Sequence, residues 1–130
     1  MNIENIRKEV MRKLKSTKYF DKLIFIYIFG SQVKGNARKN SDIDICLFYN
    51  IKDKRKLHKL ELYIKGLFPE NFDISFFQFL PLPVKKEIFR GKLIYTKNED
   101  FVYDVAFKTF EDFEEFKPRY LYYIRKNYEL

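Results

Sequence analysis

Much of what would place a short chain at a glance is missing from this one. It has one cysteine, Cys46, so no internal disulfide is possible, and a reducing, intracellular setting fits better than a stapled secreted domain. Cys46 lies in an apolar run with no His or Asn pattern to activate it, and reads as a small buried hydrophobe. The single histidine, His58, falls among lysines on the polar side of a helix and reads as surface. No stretch reaches the ~18 apolar residues of a membrane span. The opening MNIENIRKEVMRKLKS carries acids and no signal-peptide core, so it reads as folded protein, and a cytoplasmic location is expected. Internal repeats, low-complexity segments and Gly/Ser-rich linkers are all lacking. One domain over residues 1–130 is therefore expected, with a core to about residue 97 and a helical C-terminal segment from about 98.

What is present is a core and a positive charge. The chain is 46% hydrophobic and 19% aromatic, with a net charge of +8. That balance favours polyanionic partners. The lysines are scattered, however, with no block of five or six like charges, and specific nucleic-acid binding is not expected.

Periodicity supplies the elements. Ile3, Ile6, Val10 and Leu14 recur at helical spacing. Residues 23–29 (LIFIYIF) are continuously apolar and β-branched or aromatic, as an interior strand requires. Residues 42–49 (DIDICLFY) predict a second strand and residues 53–68 a helix with Leu57, Leu60, Ile64 and Leu67 on one face. A third strand is expected over 72–79, a short helix near 84–89 after Pro81 and Pro83, and a fourth, edge strand over 92–96. From about Asn98 the chain is helical, with Pro118 expected to break or restart the helix. The expected fold class is α/β (α+β): a small mixed β-sheet flanked by helices.

The stretch FGSQVKGNARKNSDIDI, residues 29–45, carries the chemistry. On a strand, Asp42 and Asp44 point to one face and Ile43 and Ile45 to the other. Two carboxylates about 7 Å apart repel unless a cation lies between them, and Mg²⁺ commonly takes one or two carboxylates plus phosphates. The alternative is a solvated strand end. Gly30 and Ser31 follow a buried strand and precede what looks like the first turn of a helix. There a close backbone approach and free N–H groups suit a phosphate, although Ser31 could serve simply as an N-cap. Asp73, among the phenylalanines of FDISFF, reads as a buried acid in need of a counter-charge. Either a metal shared with Asp42 and Asp44 or one of the many lysines would supply it. Three acids from two strands can hold two metals ~3.5–4 Å apart, an arrangement that clamps the oxygens of phosphoryl-type transfer.

The segment GSQVKGNARKNSDIDI resembles the G-S-x10-D-x-D signature of the DNA polymerase β-like nucleotidyltransferases, with ten residues between Ser31 and Asp42. In size and wording it is similar to the minimal, MntA-type members, antitoxins paired with HEPN-domain toxins. LPLPVKKEIFRGKLIYT is similar to that family's short helix and edge strand. The resemblance implies a nucleotidyltransferase fold in which Gly30 and Ser31 hold the β- and γ-phosphates. Lys34, where many relatives carry Arg, keeps positive charge beside them. It further implies that Asp42 and Asp44 bind Mg²⁺ and that Asp73 completes a second metal site and helps deprotonate the acceptor. ATP would be the substrate, and AMP would pass to a tyrosine of a cognate HEPN toxin, neutralising it.

Few residues follow the edge strand, too few for a second acceptor-gripping domain, so a protein acceptor that brings its own surface fits best. Val102, Ala106, Phe110 and Phe113 form a helical stripe widened by Phe101, Tyr103, Phe107 and Phe116. That surface either buries against the core or meets a partner. Two other readings stand beside the enzyme: a non-catalytic antitoxin module that masks the toxin, and a transferase acting on RNA or a small molecule.

Overall fold

The computed structural model describes residues 2–30 and 42–128, with side chains through Lys126. Helix α1 spans Ile3–Lys15. The Asn2 side chain caps it by accepting from the Asn5 N–H at 2.8 Å, Glu4 stands in its first turn, and basic residues crowd its last. Its apolar stripe of Ile6, Val10 and Leu14 is fully buried. Strand β1 is Leu23–Phe29 and β2 is Ile43–Tyr49. Helix α2, Lys54–Lys65, begins at Asp53, whose carboxylate accepts from the N–H groups of Arg55 and Lys56 at 3.0 and 3.3 Å. Strand β3 (Phe72–Phe76), helix α3 (Leu82–Ile88), strand β4 (Lys92–Thr96) and helix α4 (Glu99–Tyr128) follow. No described helix is long and apolar enough to cross a membrane.

The four strands form one mixed sheet in the order β3-β2-β1-β4. β1 runs antiparallel to both β2 and β4, and β2 runs parallel to β3. One face carries Ile26, Ile28, Ile45, Leu47 and Ile74, packed against the buried stripes of α1 and α2. The other carries Phe25, Tyr27, Cys46 and Phe77, packed against Ile88 of α3 and Val102 of α4. β1 is thus buried on both faces, as its unbroken apolar run requires. A register shift between Leu23 and Phe25 puts Ile24 and Phe25 on the same face.

Both outer strands have a backbone group held by a helix side chain. The Arg7 Nε donates to the Ile94 carbonyl of β4 at 2.9 Å, and the Glu61 carboxylate accepts from the Phe76 N–H of β3 at 3.0 Å.

Two expectations are corrected. The third strand stops at Phe76, and residues 77–79 form a 3-10 turn. Phe77 there swings onto the second face, with its ring centroid 5.8 Å from that of Phe25 and 5.6 Å from that of Phe89. Pro118 does not break the last helix, which runs through it. Pro118 is exposed, so water can serve the carbonyl its missing N–H leaves unpaired. His58 is exposed, as expected, and its ring also stacks on Phe79 with centroids 3.7 Å apart and planes 6° from parallel. The aromatic stripe of α4 divides between the two roles open to it: Val102 is buried, while Phe110 remains exposed.

Candidate active site

The end of β1 meets the beginnings of β2 and β3. The register aligns Phe29 with Asp44 and Asp44 with Asp73, so these three residues form one row across the sheet. Ile43 and Ile45 are buried on the opposite face, which turns Asp44 toward the side of Cys46 and Phe77, as period-two alternation demands. Asp42 lies one residue before β2 and is exposed. Asp44 is partly buried. Asp73 is exposed, against the expectation of a buried acid, because β3 is an outer strand and Asp73 stands near its start.

Gly30 closes the row. Its φ is +80°, a left-handed conformation that glycine adopts without strain. A Cβ placed there would lie 2.3 Å from the Asp44 Oδ2 and 3.3 Å from its Cγ. The space a side chain would fill is taken by the Asp44 carboxylate. A residue expected to matter for phosphate approach therefore also fixes the position of an acid.

The electrostatics follow from this packing. The Asp44 carboxyl is pushed up to about 6, first by burial, then by the charges of Asp73 and Asp42, then by its hydrogen bond with Asp73. The register sets Asp44 directly beside Asp73, and Asp42 stays within electrostatic range. The structure does not draw the three into a closed cluster: among the described residues no three His, Cys, Asp or Glu side chains form a ready metal cage. An acid pair with a third acid nearby is nonetheless suited to Mg²⁺, a hard ion that takes one or two carboxylates and fills its remaining positions with water and phosphate. A cation at Asp44 would relieve the repulsion that raises its pKa.

Ser31 and Lys34 lie outside the described residues. Cys46, two residues along from Asp44, is fully buried, and burial pushes its thiol well above the ordinary range, leaving it inert as a nucleophile. Phe29 was not singled out from sequence, yet it is the residue beside Asp44 on β1, and its partial burial helps strip water from that carboxylate. The signal was available in the apolar residue immediately before a strand-ending glycine.

The geometry is thus a glycine bend set against a carboxylate pair at adjoining ends of a mixed sheet. The family model described as "Polymerase beta, Nucleotidyltransferase" matches residues 8–100, and the chain belongs to that family. Two proteins of Methanocaldococcus jannaschii, both provisionally named as protein adenylyltransferases, are similar to it. One is 38% identical over 69 residues, 52% of this chain and 80% of that protein. The other is 37% identical over 75 residues, 57% of this chain and 57% of that protein. Among solved structures, a chain of a toxin–antitoxin crystal structure with AMP-PNP has a TM-score of 0.70 at 21% identity, covering 95% of this chain and 97% of that one. A chain of the complex of a tri-AMPylated Shewanella oneidensis HEPN toxin with an MNT antitoxin gives 0.66 at 17%, covering 95% and 98%. At these identities the likeness is one of fold.

Proposed function

We propose that the chain is a protein adenylyltransferase that transfers AMP from ATP to a tyrosine of a HEPN-type toxin and thereby neutralises it. The observation that carries this reading is the Asp44–Asp73 pair set against the Gly30 bend, with the Asp44 carboxyl raised to about 6. Family membership supports nucleotidyl transfer, and the names of the two archaeal relatives support a protein acceptor. The fold shared with toxin–antitoxin structures, one of them with AMP-PNP and another with an AMPylated toxin, supports the partner and the nucleotide.

In the proposed reaction a tyrosine hydroxyl of the toxin attacks the α-phosphorus. The new bond joins phenolic oxygen to phosphorus, the bond to the β-phosphate oxygen breaks, and pyrophosphate leaves with the electron pair. Asp73, exposed at the start of β3, accepts the phenolic proton. The Gly30 bend, with Ser31 and Lys34 after it, receives the β- and γ-phosphates. Asp42, Asp44 and Asp73 would hold Mg²⁺, two ions in the fullest form of the site, and when bound these would neutralise the triphosphate and the leaving pyrophosphate. Asp44 fixes the line of approach because its carboxylate is pinned between Gly30 and Asp73.

The test incubates the chain with the product of its neighbouring gene, ATP and Mg²⁺, and weighs that product intact. An added AMP mass on a tyrosine, absent when Asp42 and Asp44 are both changed to Asn, is the expected result. An unmodified partner, or neutralisation that survives the double substitution, removes the catalytic reading.

A further inference from the structure

The flank of α4 that borders Leu93 of β4 carries a strip to which no catalytic role has been given. Tyr103, Phe107 and Phe110 follow at i, i+4 and i+7 and are 75%, 71% and 41% exposed. Single exposed apolar residues are ordinary. Three in register, with the exposed Leu93 of β4 beside them, make a contiguous apolar strip, a feature that is often functional.

Two grooves run along this strip. One, of about 380 Å³, lies between the sheet and α4, with Leu93, Tyr103 and Phe110 in its walls and Glu99 among its lining residues. The other, of about 470 Å³, is bounded by Phe107, Phe110, Glu111, Glu114 and Glu115. Four carboxylates therefore border the aromatics, and no Lys or Arg lines either groove, in a chain with 26 basic residues against 18 acidic ones. Lys108 reaches Glu111 at 3.8 Å and Asp112 at 2.9 Å, both exposed pairs that offset little of this charge.

We propose that this strip is the docking surface for the protein partner, and that it takes a basic, apolar-ridged surface of that partner. The identity of the partner as a HEPN-type toxin rests on the function proposed above; the surface and its chemistry do not. The i, i+4, i+7 aromatics give α4 a one-sided apolar face, the pattern by which a helix anchors against a partner's apolar surface. The carboxylate border sets the sign of the partner's charge. A basic surface is repelled by most of a +8 chain and attracted here, so the border steers the encounter and fixes where it lands. Nucleic acid is disfavoured at the same place for the same reason.

The experiment measures affinity for the neighbouring gene's product by titration calorimetry at two salt concentrations, with MgATP binding followed separately. The Tyr103→Ala/Phe107→Ala variant should weaken partner binding at least tenfold, with its melting temperature and MgATP affinity close to wild type. The Glu111→Lys/Glu115→Lys variant should weaken partner binding at the lower salt concentration and flatten its salt dependence. Partner affinities within twofold of wild type in both variants overturn the docking surface and leave AMP transfer standing. Strong partner binding with no AMP adduct removes the transfer reading, while the variants still decide the surface. A wild-type chain that binds only itself, with self-association lost in Phe107→Ala, assigns the strip to a second copy and overturns the proposal. So does a chain that binds neither.

Discussion

Asp44→Asn should make the metal-free protein more stable while disabling it. The native carboxyl holds its proton up to about 6, whereas an unfolded aspartate releases it near 3.8. Between those values the folded state binds more protons than the unfolded one, so stability falls as pH rises through this window. The cost is absent below 3.8 and complete above about 6. Two pH units correspond to at most ~3 kcal/mol, and because Asp44 is only partly buried, solvent screening brings the figure to about 1 kcal/mol. Asparagine fills the same space beside Gly30 and can donate a hydrogen bond to Asp73 where the carboxylate was repelled. In chelator at pH 8 the variant should melt roughly 3–5 °C above wild type, and the difference should vanish near pH 3.5. Adding Mg²⁺ should raise the wild-type melting temperature and leave the variant unmoved. A variant that melts at or below wild type at pH 8 without metal would refute the account of Asp44 as a crowded, part-desolvated charge.

Three further outcomes are expected. Gly30→Ala forces a Cβ to within 2.3 Å of the Asp44 Oδ2 at a left-handed φ, so Asp44 should swing aside. Stability should then drop by about 1–2 kcal/mol while AMP transfer falls to background, and urea melts paired with an activity assay separate the two effects. Cys46 should resist iodoacetamide in the native protein and react on denaturation, which intact mass would read; native labelling contradicts its burial. Phe25→Ala removes a ring that meets Tyr27, Phe48, Phe77 and Phe89 and should cost about 3–5 kcal/mol in urea unfolding.

The parts of the fold legible in the sequence were those with a clean period. LIFIYIF and KLIYT fall where their apolar runs put them, and the first helix follows Ile6, Val10 and Leu14. FDISFFQF misled because Phe77 and Phe79 have the right composition for a strand, but Phe77 packs on the second face and Phe79 with the first, a tertiary preference that no local pattern encodes. Asp42, Asp44 and Asp73 were found by residue type and spacing, and the register then paired Asp44 with Asp73. The burial of Asp73 was misjudged, since nothing in FDISFF says that β3 lies at the sheet's margin. The contact between Gly30 and Asp44 was also beyond the sequence, because it joins the end of one strand to the face of another.

The side chains that hold the outer strands bear on how this protein can assemble. Arg7 occupies a carbonyl of β4 and Glu61 an N–H of β3. A visiting strand would have to displace a helix side chain, at about 1 kcal/mol for each bond broken, before it could zip onto either margin. Cross-β growth and recruitment by backbone pairing are thereby discouraged on both flanks, and a newcomer is left to approach over the helices.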